Sequence, residues 1–334
     1  GYPHGLFDTE RGTGKLIQSN ATAAELSYAD VTSFNSDGFT AGFYSGWFNS
    51  SGQAQTSWTF RKAEKFFDVQ TWTGNSTAGR TIAHNLGSAP AFVLVKRTNA
   101  TNNWICWHSA LTNTQYIQIN STSQAFSDGG IFWNSTTPDA SNLTLGNDSG
   151  VNGSGSTYVA YLFASDAGGF GDDGTENIIK CGSFTNNSAS VGVEVNCGFE
   201  PQWLLIKGAS SGTGLGNWVL IDSMRGASVD SQQRLYANAS TAEGSSNWFK
   251  FTSQGFTPNT YFDGDLIYIA IRRPMKTPEA GTEVLNSLAY TGDGASTRDF
   301  DLGMTVDAYF QACRSSSTYD FKNLTARLTA KGLY

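Results

Sequence analysis

The groups in this sequence that could do chemistry are few, and they do not converge. Gly208-Ala-Ser-Ser-Gly212 has the Gly-x-Ser-x-Gly spacing of a nucleophile elbow. That motif works when a strand precedes the serine and a helix follows it, so that the hydroxyl stands on a sharp turn. Here an apolar run precedes it and polar loop residues follow, so no hydrolase is expected. The chain has three histidines. His84 alternates with Ile82 along one expected strand and reads as a structural histidine. Gly171-Asp-Asp-Gly174 offers the oxygens that calcium takes but lacks a full acidic loop, and it reads as a solvated linker.

Cys106, Cys181, Cys197 and Cys313 lack the short paired spacings of a zinc site. Cys106, inside Trp-Ile-Cys-Trp, reads as a small buried hydrophobe. Cys181 and Cys197 flank an expected hairpin and form the candidate disulfide, subject to the Cβ geometry such a bridge needs. Trp47, Trp133 and Trp248 do not recur in register elsewhere in the chain. A flat ring beside Asn or Asp is what sugar recognition uses, so these three are the candidate glycan contacts. The competing reading is that they plug the ends of a sandwich. Asp8 and Asp222 sit at matching positions before Arg11 and Arg225, where a structural Asp–Arg contact is expected. No catalytic residue, cofactor-binding residue or metal ligand is assigned, and the expectation is a protein that is not an enzyme.

The bulk composition says what kind of elements must position these groups. Charged residues are 15% and aromatics 13% of 334 residues, with 37 Gly. Few charges, many β-formers and many turn residues point to an all-β protein. The net charge of −7 argues against a nucleic-acid partner, which needs clustered Lys and Arg. No apolar run approaches the roughly 20 residues of a membrane helix. The first residue is Gly, and no signal peptide is visible, so the chain reads as processed or as a piece of something longer.

Self-similarity is the main signal. Thr71–Lys96 aligns without a gap on Gly182–Lys207, with Asn75 on Asn186, Gly87 on Gly198, Pro90 on Pro201 and Lys96 on Lys207. Trp104-Ile-Cys-Trp-His-Ser109 lies over Trp218-Val-Leu-Ile-Asp-Ser223. Asn120-Ser-Thr122 lies over Asn238-Ala-Ser240, and Tyr158-Val-Ala160 over Tyr268-Ile-Ala270. At the N-terminus, Leu6-Phe-Asp8 through Gly12 resembles Leu220-Ile-Asp222 through Gly226, and Asn20 to Glu25 matches Asn238 to Glu243. Ser36-Asp-Gly38-Phe39-Thr40 matches Ser253-Gln-Gly255-Phe256-Thr257, and Trp58 matches Tyr161. At the other end, Tyr290-Thr-Gly-Asp-Gly294 resembles Trp72-Thr-Gly-Asn-Ser76, and Asp307 to Arg314 sits where the Pro-x-aromatic strand ending in Lys lies elsewhere.

The expected organisation is therefore half, whole, whole, half, in tandem β-sandwich or jelly-roll repeats of about 100–110 residues. Residues 1–63 are the second half of a repeat, 64–164 and 177–275 are full repeats, and 165–176 is a linker. Residues 284–334 are the first half of a repeat, which completes 1–63 within one chain or between chains. Ala91–Lys96 and Gln202–Lys207 are expected to be central strands buried on both faces. Gly87 and Gly198 suit turns with positive φ. Thr22-x-x-Glu25 and Ser240-x-x-Glu243 have capping-box spacing, so a helical turn is expected at each.

These motifs resemble a tandem-repeat family of marine bacteriophage virion proteins, with tail-fibre or appendage members and concanavalin-like sandwich folds. The likeness rests on Tyr/Trp-Thr-Gly-Asn/Asp at 72–75 and 290–293 and on Leu-Gly-x-x-Pro at 86–90. The Asp–Arg–Gly pattern ending at Gly226, the Asn-x-Ser/Thr-x-Ala-Glu boxes and Asp-Gly-Phe at 37–39 add to it. His84 at the Val195 position and His108 at the Asp222 position depart from it. The resemblance implies no catalytic residues. It implies a phage virion structural protein for display or host adhesion, placed on the virion surface or outside the cell. Partners would be copies of itself, other virion proteins and a host cell-surface glycan, with neither nucleic acid nor membrane insertion. A lectin-like carbohydrate-binding module and a capsid decoration protein are the alternatives.

Overall fold

A computed structural model describes residues 4–36, 38–42, 49, 51, 54–227 and 232–272, and the strands 308–311 and 323–326. The chain divides into two compact units, Gly1–Pro274 and Met275–Tyr334. It is all-β and antiparallel throughout the described residues.

In the first unit, β1 (Gly5–Leu6), β2 (Lys15–Gln18) and β3 (Leu26–Ser27) form one small sheet, and β4 (Val31–Asn35) pairs with β5 (Gly38–Ala41). The next segment carries β6 (Phe67–Thr73), β7 (Arg80–Ala83), β8 (Phe92–Arg97), β9 (Ile105–His108), β10 (Gln115–Tyr116), β11 (Phe126–Ser127), β12 (Asn142–Leu145) and β13 (Thr157–Phe163). Its main sheet has the order β6-β13-β8-β9, while β7 pairs with β12 and β10 with β11.

The following segment carries β14 (Ile179–Asn186), β15 (Val195–Asn196), β16 (Pro201–Gly208), β17 (Val219–Asp222), β18 (Gln232–Tyr236), β19 (Gly244–Ser246), β20 (Phe249–Thr252), β21 (Gly255–Pro258) and β22 (Gly264–Arg272). Its main sheet runs β14-β22-β16-β17-β18-β19, faced by β15-β21-β20. In both segments the last strand therefore inserts between the first strand and the Pro-initiated one. In the second unit, β23 (Ala308–Gln311) pairs with β24 (Asn323–Ala326), Ala308 opposite Ala326.

Side-chain alternation along the strands explains the layering. Leu204 and Ile206 of β16 join Val219, Ile221, Phe249 and Phe256 in a core between the two sheets of their own segment. Trp203 and Leu205 point the other way, into a larger core with Phe92, Trp218, Ile17 and Trp104. The main sheet is thus buried on both faces, as the unbroken apolar runs of β8 and β16 predict. Each fully buried large side chain contributes about 1.5–3 kcal/mol. Gly87 and Gly198 have φ of 67° and 81°, the left-handed region that turns before these strands require.

Two expectations need correction. The capping-box stretches 21–25 and 239–243 contain no helical turn, because Glu25 and Glu243 are drawn into ion pairs with Arg11 and Arg225 instead of bonding their own backbone. Short 3-10 turns occur at Ser188–Ser190 and at Ser223–Arg225, the second capped by Asp222. The Cys181–Cys197 disulfide is also absent, and both thiols are free and buried. The two cysteines do not share a hairpin, since β14 pairs with β22 and β15 with β21. Cys181 consequently faces the larger core and Cys197 the smaller one.

Candidate functional site

The polar groups that recur in the sequence assemble into two copies of one Asp–Arg–Glu arrangement within the first unit, with a partial counterpart at His108. Asp8 accepts from the backbone N–H of Arg11 at 2.8 Å and from its Nε at 2.6 Å, and Arg11 also reaches Glu25 at 3.1 Å. Asp222 repeats this with Arg225, at 2.9 Å and 2.7 Å, and Arg225 reaches Glu243 at 2.8 Å. Where these segments carry Asp, the remaining one carries His108. Its Nδ1 accepts from the Ala110 N–H at 3.1 Å, two residues on, where the carboxylates accept from the N–H three residues on. With Nδ1 accepting, Nε2 carries the hydrogen and donates to the Tyr268 carbonyl at 3.1 Å. Burial holds the His108 pKa down to about 4.

Each of these positions is touched from the closing stretch of a neighbouring segment. The Tyr161 hydroxyl donates to Asp8 at 2.7 Å, and the Trp58 indole donates to Asp222 at 3.1 Å. Arg225 also lies over the Trp58 ring at 5.3 Å. Burial pushes the Tyr161 hydroxyl pKa far up, so it remains a donor.

A second set of contacts follows the Asn boxes. Asn120 Oδ1 accepts from the Trp104 N–H at 2.9 Å, Asn238 Oδ1 from the Trp218 N–H at 2.8 Å, and Asn20 Oδ1 from the His4 N–H at 3.2 Å. The rings of these three partners reach across a boundary. Trp104 Nε1 donates to the Gln18 carbonyl and Trp218 Nε1 to the Gln118 carbonyl, both at 2.9 Å. His4 Nε2 lies 2.9 Å from the Ala239 carbonyl, and the neighbouring Ser19 hydroxyl donates to the Ala237 carbonyl at 2.7 Å. These contacts run from second segment to first, from third to second and from first to third.

Two buried lysines belong to the same system. Lys96 donates to the carbonyls of Thr22, at 2.9 Å, and Asn102, at 2.6 Å. Lys207 donates to Thr122, at 2.8 Å, and to Gly216. Both side chains are fully buried, and desolvation lowers each pKa to about 8. The sequence aligns the two lysines but assigns them no role. Their signal was a charged residue closing an apolar run at the same place twice.

The other sequence candidates fall apart in space. Trp133 is buried to 1% exposure and donates to the Gln115 carbonyl at 3.2 Å, so it presents no face to a sugar. Trp248 is half-buried, with Arg234 over its ring at 4.4 Å and the Phe262 edge at 5.3 Å. Trp47 lies outside the described residues. Ser210, the central serine of Gly208–Gly212, accepts from the Asp265 N–H at 2.8 Å and contacts Thr213 Oγ1 at 3.0 Å. It is a turn residue with no helix behind it. His84 is held between the Asp139 carbonyl and the Leu86 N–H, at 3.1 and 3.3 Å. Among the described residues no three His, Cys, Asp or Glu side chains gather as metal ligands. No described helix is long and apolar enough to cross a membrane.

Two surface grooves are present. One is lined by Pro90, Trp107, Leu111, Asn113 and Pro138. The other is lined by Glu10, Arg11, Glu25, Thr98 and Tyr158, and its arginine is already engaged by Asp8 and Glu25.

The class these features define is an all-β protein of antiparallel sheets in which several recurring buried polar groups join one segment to the next. The chain belongs to the DUF7483 family, described as a domain of unknown function, whose model matches residues 2–264. No curated protein matches it. One solved chain, described as the crystal structure of the STIV MCP, matches with a TM-score of 0.17 and 9% identity over 62% of this chain and 87% of its own. A likeness at that level carries no argument.

Proposed function

We propose that this chain is a structural component of a bacteriophage virion, a tail-fibre or surface-appendage module for display or host adhesion, and not an enzyme. One observation carries the reading. The titratable groups that recur in the sequence are committed to contacts between segments: Asp8 with Tyr161, Asp222 with Trp58, His108 with Tyr268, and Lys96 and Lys207 with the Asn boxes. Such groups fix the mutual placement of β-layers and leave no poised acid, base or nucleophile among themselves. The resemblance to virion repeat proteins supports the same role. Its partners would be copies of itself and other virion proteins. The experiment is mass spectrometry of gradient-purified phage particles combined with immunogold labelling. The expected result is the chain in multiple copies per particle, with label on tails or particle surface. A chain present in infected-cell lysate but missing from particles would sink the reading.

A further inference from the structure

The contacts between the segments of the first unit close into a ring, and the three joints of that ring differ chemically. At two of them an indole carries the contact: Trp104 donates to the Gln18 carbonyl and Trp218 to the Gln118 carbonyl. His4 holds the same place at the third. Its backbone N–H is met by Asn20, as those of Trp104 and Trp218 are met by Asn120 and Asn238, and its Nε2 lies 2.9 Å from the Ala239 carbonyl. Both tryptophans are fully buried, and His4 is half-buried. An indole carries only its one N–H and does not titrate, whereas an imidazole takes a second proton in acid. Because a carbonyl only accepts, Nε2 of the neutral ring carries the hydrogen, and the second proton goes to Nδ1.

We propose that His4 makes the boundary between the first and third segments an acid-sensitive joint, closed when its ring is neutral and opened locally, around Ser19 and Ala237–Ala239, when the ring is protonated. The surroundings of His4 oppose the second proton. Burial is the main cause, and the Arg225 cation, on the turn after β17, acts in the same direction. Asp222 and Glu243 pair with that arginine. β18 and the residues after it turn the Tyr236 and Ala239 carbonyls toward His4, and the first segment adds the uncharged Ser19, whose hydroxyl donates to the Ala237 carbonyl. The two carbonyls favour the imidazolium but are outweighed, so the His4 pKa lies below its usual 6.5. A group whose pKa is lower in the closed state takes its proton more readily in the open one, so opening becomes easier as pH falls through 6.5. The joints at Trp104 and Trp218 hold, because nothing in an indole answers to acid over that range.

The test is hydrogen exchange on the full chain at about pH 7 and about pH 5, corrected for the intrinsic pH dependence of exchange. The Ala239 amide, bonded to the Tyr236 carbonyl, reports the His4 joint, and the Ala237 amide, bonded to the Trp218 carbonyl, reports the same stretch. The matching amides at the tryptophan joints are Ala21, bonded to Gln18, and Ser121, bonded to Gln118. The expected result is that protection at Ala237 and Ala239 falls at least ~5-fold more than at Ala21 and Ser121 on going to the lower pH. His4→Gln keeps a donor that does not titrate, and His4→Trp copies the other two joints; each should abolish the excess. His108 is present in every variant, so its own titration cannot produce a difference between them. An excess fall that is missing from the unaltered chain, or that persists in His4→Gln or His4→Trp, overturns the proposal.

Discussion

At the scale of single residues, the sharpest feature is a pair of lysines buried away from solvent. Lys96 and Lys207 have only backbone carbonyls as described partners, and burying an ammonium is costly unless its donors are met. His108 gives the clearest pH dependence. Its pKa is about 4 in the folded chain, against 6.5 when unperturbed. Because the folded value is the lower one, the unfolded chain binds the proton first as pH falls. The contribution is therefore complete above pH 6.5 and is lost between there and about pH 4. The shift corresponds to about 3 kcal/mol as an order of magnitude. A His108→Asn variant should show a flatter loss of denaturation free energy over this window than the unaltered chain, measured by urea titration at several pH values. Equal slopes would remove His108 as the cause.

At the scale of elements, strand pairing depends on close approaches that only particular residues permit. Gly255 opens β21, and a Cβ there would lie 2.0 Å from the Val195 carbonyl oxygen on β15. Gly255→Ala must therefore push β15 away, opening the small sheet over Phe249, Phe251 and Phe256. A loss of about 2–4 kcal/mol in unfolding free energy is expected. The same alanine at Gly38, its counterpart by sequence, meets nothing within 4 Å and carries only the backbone cost of a φ of 159°. Thermal melts of the two variants would separate them, and a silent Gly255→Ala would mean β15 is free to move.

At the scale of the first unit, the larger core takes Ile17 from the first segment, Phe92 and Trp104 from the second, and Trp203 and Trp218 from the third. Segments that share one core cannot melt one at a time without exposing it. Unfolding of residues 1–274 within the full chain should then follow a single transition. Tryptophan fluorescence and β-sheet circular dichroism should have coincident midpoints, even after Asp222→Ala removes one boundary contact. Separate transitions for the second and third segments would show that the shared core does not couple them.

Much of this was legible before any coordinates. The β class follows from composition. The doubly buried strands β8 and β16 follow from unbroken apolar runs, and the turns at Gly87 and Gly198 from their place before them. The Asp8–Arg11 and Asp222–Arg225 contacts follow from their matching positions, because a carboxylate three residues before an arginine can cap its turn and pair with it locally. What the tertiary structure decided was every contact between distant stretches. Spacing could not show that Glu25 and Glu243 leave their boxes for arginines, since that choice depends on which side chain is brought near. Nor could it show that Cys181 and Cys197 face different cores, or that Trp133 lies inside one. Alternation places a residue on a face of its strand, but only the packing of sheets decides whether that face meets water, a sugar or another core. The lysines state the same division: their repetition is written in the sequence, and their partners, Thr22 and Thr122, lie on the segment before.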